Sequence, residues 1–297
     1  MKSVMRRLML VYGFGLVAAL HGTALNAAPT VLFLMGEHEY GTTESLPTFA
    51  AEQLTPRGYH AEIIVAAAND RSSPGCHVFP NLESALARAD LLVVSTRRRF
   101  LTTAQMGALR DWVDQKKPIL GIRTASHAFG ARSKGEGYVP QGDQVSWNDF
   151  DRDVFGAHYQ GHSRNSDGQT LIIQPRETRS FPVMQGIRLP DQTPVSASLY
   201  YMRQLDDRAR ILLTGKSADD ELSFEPVSWT LERDGWRTFY TSLGDRAHFD
   251  LPWFNAHLTG AIEWLLEPST APSEEAELLE KEYEAPGEGL APADSLA

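Results

Sequence analysis

Residues 118–127 read Pro-Ile-Leu-Gly-Ile-Arg-Thr-Ala-Ser-His, an apolar strand that ends in a sharp turn and starts a helix. Such an elbow presents one side chain at the carboxyl end of a sheet, beside the free N–H groups of a helix N-terminus. Here that side chain is Arg123. A guanidinium is a fixed cation with no nucleophilic lone pair, so it binds an anion or a polarised oxygen but cannot attack a carbonyl. The alternative is that Arg123 pairs with a nearby carboxylate. Ser126 and His127 follow on the same turn as candidates for substrate binding and proton transfer.

A second segment, Phe155-Gly-Ala-His-Tyr-Gln-Gly-His162, places His158 and His162 four residues apart. On a helix that spacing puts both imidazoles on one face, as metal sites require. Gly156 and Gly161 argue instead for irregular backbone, and no acidic third ligand is nearby. Substrate binding or acid–base work, a divalent metal site and simple structural hydrogen bonding all stay open, with the metal not favoured and no cofactor assigned. A third segment, Gly36-Glu-His-Glu-Tyr40, follows the first strand, where open α/β sheets bind ligands. His38 and Glu39 are therefore candidates by position, against an ordinary solvated loop. Trp147 and Tyr159 are candidates to stack on sugar faces. Trp229, in an alternating strand, suits core packing better.

Short apolar runs alternate with amphipathic segments from residue 30 onward, the pattern of a parallel sheet covered by helices. Strands are expected over 30–35, 60–65, 91–95 and 118–122, with helices over 43–54, 81–89 and 101–116. Residues 135–164 read as long loops with one short helix near 151–155. Strands over 169–174, 209–215, 226–232 and 237–241 follow, the last two joined by an Asp234-Gly235 hairpin turn. An amphipathic helix over 253–266 closes the fold.

The first 27 residues carry basic Lys2, Arg6 and Arg7, a short apolar run and a small-residue stretch, which is the layout of a cleaved signal peptide. The apolar run falls short of the ~20 residues of a spanning helix. Export to the periplasm or beyond is expected, with no stable membrane insertion. The domain is expected over 28–267 and an acidic, disordered tail over 268–297. A formal net charge of −10 makes nucleic acid an unsuitable partner. Cys76 is the only cysteine, so the chain forms no internal disulfide. Oligomeric state is not legible.

Four segments together resemble the ThuA-like (trehalose-utilisation) family, a branch of the class I glutamine amidotransferase-like superfamily. They are Val31 through Tyr40, the elbow Gly121-Ile-Arg-Thr-Ala-Ser-His-Ala-Phe129, the Phe155 to His162 segment, and the ending from Pro226 through Gly244, Phe249, Pro252 and the last helix. The resemblance implies a flavodoxin-like, doubly wound, mainly parallel sheet with helices on both faces, and a link to carbohydrate metabolism. Two departures matter. Arg123 stands where glutamine amidotransferases carry their cysteine, and Cys76 lies in an earlier loop, so glutamine hydrolysis by that route is excluded. The position after Ser242-Leu243-Gly244, commonly histidine in the family, is Asp245, with His248 three residues on as a possible substitute.

Two functions remain in view. One is an enzyme that isomerises, cleaves or hydrolyses a sugar or keto-sugar, with His127, His158 or His162 moving protons and Arg123 holding an oxygen. The other is a non-catalytic carbohydrate-binding or accessory protein on the same fold. In either case His38, Arg123, His127, His158 and His162 are expected to converge in one cleft. For the N-terminus the check is direct: sequencing of the protein from its source cell is expected to start at Ala28. Met1 retained in the membrane fraction would contradict export by cleavage.

Overall fold

The first strand is apolar at successive positions because it is covered on both faces. In a computed structural model, which describes residues 27–68, 73–131, 139–163, 169–217 and 224–268, it is β1 (Thr30–Gly36), followed by α1 (Thr42–Phe49), β2 (His60–Val65), α2 (Leu82–Arg88) and β3 (Leu91–Thr96). Next come β4 (Leu101–Thr102), α3 (Thr103–Asp114), β5 (Ile119–Ile122), β6 (Gln144–Val145), α4 (Phe150–Phe155) and β7 (His158–His162). The remainder is β8 (Gln169–Ile173), β9 (Thr193–Ser196), β10 (Tyr200–Arg203), β11 (Arg210–Ser217), β12 (Glu225–Arg233), β13 (Trp236–Thr241) and α5 (Pro252–Leu266). The expected signal segment, save Ala27, and the expected tail, save Pro268, lie outside the described residues.

Nine strands form one mixed sheet in the order β2-β1-β3-β5-β13-β12-β11-β8-β9. The first five run parallel, and β12, β11, β8 and β9 extend the sheet antiparallel. The expected parallel sheet is thus present in the first five strands, and the antiparallel extension makes the whole sheet mixed. The β12–β13 hairpin has Asp234 at φ 49 and Gly235 at φ 77, the positive pair that an Asp-Gly turn supplies.

Alternation along the strands divides the core between the two faces. Val31, Phe33, Leu91, Val93, Leu120 and Phe239 pack with residues of α1 and α5. Leu32, Leu34, Leu92, Val94, Ile119 and Tyr240 pack with residues of α2, α3 and α4. Trp229 belongs to this second cluster, fully buried, with its indole N–H on the Phe155 carbonyl at 2.8 Å. Gly121 in β5 leaves room for the end of α4: a Cβ there would meet the Phe155 ring at 2.4 Å.

Two further departures have local causes. The helix expected over 43–54 contains Pro47, which has no N–H to donate, and α1 gives way to a π-helical turn at Ala50–Leu54. Within the stretch expected as loops, β7 pairs antiparallel with β10. Its register shifts between Tyr200 and Met202, opposite a Gly161 held at φ 135. The irregularity read from the glycines is therefore a bulge inside a strand.

Candidate active site

Arg123 follows β5 directly and has φ 45, a left-handed conformation that costs a non-glycine residue roughly 1–2 kcal/mol. Its neighbours hold it there. Its carbonyl accepts from the Tyr240 hydroxyl at 2.7 Å and from Ser126 Oγ at 3.2 Å. Its guanidinium is 2% exposed and lies between two aromatic rings, 4.0 Å from the centre of Tyr40 and 4.8 Å from that of Tyr200. Nη1 donates to the Ser242 carbonyl at 2.8 Å, and Nη2 to Ser198 Oγ at 3.1 Å. Burial opposes the charge, but Tyr200, Tyr40 and Asp245 outweigh it and raise the pKa. Among the described residues Arg123 forms no carboxylate ion pair, unlike the alternative read from the sequence, and its side chain is almost wholly enclosed.

His127 ends the short 3-10 turn that Arg123 begins. Its Nδ1 is 3.0 Å from Ser126 Oγ. The Ser126 hydroxyl is also 3.2 Å from the Arg123 carbonyl, and when it donates there its lone pair receives the Nδ1 proton and leaves Nε2 as the basic nitrogen. The ring stacks on Tyr159 at 4.5 Å and tilts toward Tyr200 at 6.1 Å. Burial, then the charges of Arg98, Arg97 and Arg123, hold its pKa well below the ordinary histidine value. His127 is thus neutral at physiological pH, the form able to accept a proton.

His158 opens β7 and is one-third exposed, with Nδ1 3.4 Å from Asp151 Oδ2. Asp151 is buried, and its carboxylate accepts from the backbone N–H groups of Arg152 at 2.9 Å and Tyr159 at 2.8 Å. Burial pushes its pKa up, while the Tyr159 N–H and His158 pull the other way. His127, His158, Ser126 and Tyr159 line one cleft of about 810 Å³, with Arg98, Asn148 and Asp149 among its other walls.

The remaining candidates are distributed unevenly. His162 is exposed, donates from Nδ1 to the Ser163 carbonyl at 2.7 Å, and lies 6.0 Å from the Tyr200 ring, near the cluster but outside the cleft lining. His38 is exposed on the loop after β1 and does not line the cleft. Glu39 forms an ion pair with Arg97. Trp147 is 6% exposed: its indole N–H donates to Asp153 at 2.7 Å and Arg110 lies over its ring at 4.1 Å. Asp245 caps the 3-10 turn Arg246–Asp250. His248 is buried, and its Nδ1 accepts from the Gly244 and Asp245 N–H groups at 2.9 and 3.1 Å. It fixes the loop whose Ser242 carbonyl holds Arg123. Five residues expected to share one cleft therefore divide: His127 and His158 line it, Arg123 lies enclosed behind Tyr200, His162 stands beside it and His38 apart.

Asp151, Arg98, Tyr40 and Tyr200 escaped the sequence reading. Arg98 was accessible to it, because Arg97-Arg98-Arg99 follows the carboxyl end of β3, where the topology rule already pointed. Tyr200 was not, since β10 has no alternating pattern. Among the described residues, no three His, Cys, Asp or Glu side chains stand together so as to hold a metal ion.

A mixed α/β sheet with a polar cleft at the carboxyl ends of its parallel strands defines the class of protein. The ThuA family model, described as trehalose utilisation, matches residues 30–265, and the chain belongs to that family. The solved structure of a ThuA-like protein from Parabacteroides merdae ATCC 43184 has the same fold, with TM-score 0.57 and 13% identity over 83% of this chain and 94% of that one. A β-galactosidase from Rahnella sp. R3 (TM-score 0.49, 11% identity, 84% of this chain, 33% of that one) and the carbohydrate deacetylase Agd3 (0.47, 14%, 80% and 32%) are more distant likenesses. Among curated proteins none matches the chain.

Three other histidines anchor the fold in neutral form. Burial lowers His77 to about 4, His248 to about 3 and His257 to about 4, with Arg99 and Arg123 adding to the first two. The unfolded chain protonates these groups near pH 6.5 and the folded one does not, so their contribution is complete above that pH and is lost as pH falls toward about 4. Each lost contribution is on the order of 1 kcal/mol per pH unit. The urea midpoint is therefore expected to fall between pH 7 and pH 5, and His257→Gln, which keeps a partner for Ser228, to flatten that slope. A parent midpoint that does not change over this range would contradict the assignment.

Proposed function

We propose that this chain is an exported enzyme of carbohydrate metabolism that moves protons on a sugar or keto-sugar held in the His127–His158 cleft. The observation that carries the reading is the meeting of these two histidines in one cleft with different partners. His127 is backed by a hydroxyl and kept neutral by burial and arginines, whereas His158 is backed by a carboxylate. Paired groups with contrasting environments are how one site supplies both a base and an acid. Family membership in trehalose utilisation supports the sugar, and the basic, apolar and small-residue order of the N-terminus supports export. The strand order of the parallel half supports a flavodoxin-like doubly wound core. Cys76 is buried in the turn Pro74–His77 while Arg123 holds the elbow position, which supports a chemistry other than glutamine hydrolysis.

On a keto-sugar the reaction begins with proton abstraction from the carbon next to the carbonyl. His127 Nε2 takes that proton, and the electron pair moves onto the carbonyl oxygen. His158 gives a proton to that oxygen, and the enediol that results is the common entry to isomerisation or to loss of a leaving group. Tyr159, half-buried against His127, offers a ring edge to the sugar.

The test is a screen of disaccharides and their 3-keto derivatives in deuterated water, read by proton NMR, with metal analysis of the same sample. Exchange at the carbon beside the carbonyl is expected, and His127→Asn or His158→Asn is expected to slow it by about 100-fold or more. Binding without exchange or turnover would point to the carbohydrate-binding alternative. Full activity in both variants would remove the histidines from the chemistry.

A further inference from the structure

Asp151 is 2% exposed in the helix that packs against Gly121. A carboxylate out of water is costly unless its oxygens are matched by donors. Both oxygens are matched, and in a particular way. Oδ1 takes the N–H of Arg152, one residue along α4, and Oδ2 takes the N–H of Tyr159, across the loop in β7. Oδ2 also stands 3.4 Å from Nδ1 of His158, the residue before Tyr159, and that nitrogen is buried with no hydrogen bond of its own. One carboxylate thus fixes the backbone just beyond His158 and faces the inner nitrogen of its ring.

We propose that Asp151 is the positioning residue of His158: it holds the ring with the proton on Nδ1 and leaves Nε2 as the nitrogen available to the cleft. The proposal rests on the reading of His158 as a proton-transfer group. The 3.4 Å separation is longer than a formed hydrogen bond, and a small rotation of the ring brings the N–H onto Oδ2, a tightening that active sites show when substrate binds. His127 has a different partner at the same ring nitrogen, the Ser126 hydroxyl at 3.0 Å. The inner nitrogen of each ring thus faces a protein oxygen, a neutral hydroxyl at His127 and a carboxylate at His158. The acid stabilises positive charge on the ring whenever His158 carries the proton, while the hydroxyl gives His127 no such help.

The tautomer is measurable without any substrate. Two-bond proton–nitrogen correlation spectra of the full chain labelled with ¹⁵N-histidine, at about pH 8.5 where imidazole is neutral, report which ring nitrogen carries hydrogen. The His158 signals are identified by their loss in His158→Gln. The expected result is protonation at Nδ1 in the parent, a shift toward the Nε2-protonated form in Asp151→Asn, and its reversal in Asp151→Glu. A parent spectrum with the proton on Nε2 overturns the proposal whether or not any variant folds, and so does an Asp151→Asn spectrum unchanged at His158. With a substrate in hand, Asp151→Asn is expected to lower kcat by about tenfold or more with KM little changed. A sugar screen that yields no turnover sinks the catalytic reading, and the spectra still decide whether Asp151 sets the ring.

Discussion

A single guanidinium in the interior sets the terms for the carboxyl edge of the sheet. Arg123 carries a charge that water cannot reach, in a backbone conformation that a side chain ordinarily avoids. Both costs are met by groups from distant parts of the chain: Tyr40 after β1, Ser198 and Tyr200 at the start of β10, Tyr240 in β13 and Ser242 just beyond it. Enclosing Arg123 therefore fixes how the loops leaving β1, β5 and β13 meet, and it places the Tyr200 ring against which His127, Tyr159 and His162 gather.

Access to the cleft, not electrostatics, separates two kinds of depressed histidine at this edge. His77, His248 and His257 are held neutral chiefly by burial, and each has a structural hydrogen bond, to the Phe100 N–H, to the Gly244 and Asp245 N–H groups and to Ser228. Such histidines are core residues with polar tips. His127 shares their electrostatics but lines a cleft. A lowered pKa alone does not mark a functional histidine; access to solvent space beside a second proton carrier does. By that distinction His248, a candidate from the family resemblance, has a structural hydrogen bond in the interior, and the proposed pair is His127 and His158, which line the cleft.

Much of this arrangement was legible in the residues. The elbow at Arg123 followed from an apolar strand running into a turn, and the strands of the parallel half followed from buried runs between amphipathic segments. What escaped depended on tertiary pairing. β7 and β10 form a bulged two-stranded ribbon whose members, rich in His, Gly, Tyr and Arg, have no alternating apolar pattern to betray them. Asp151 looked like an ordinary acidic residue in a helix first turn, because its meaning lies in a contact with a strand eight residues on. The packing of Trp147 was hidden in the same way, since only the fold brings Arg110 over its ring and Asp153 to its indole N–H.

The enclosure of Arg123 is tested most directly by urea unfolding of Arg123→Lys. Lysine keeps the charge and the same backbone strain but lacks the planar fork that reaches Ser242 and Ser198 while lying between two rings. The expected result is a stability loss of about 2 kcal/mol or more, as for a buried charged group deprived of its hydrogen bonds. A lysine variant as stable as the parent would contradict the organising role and return Arg123 to the group of side chains kept for a ligand.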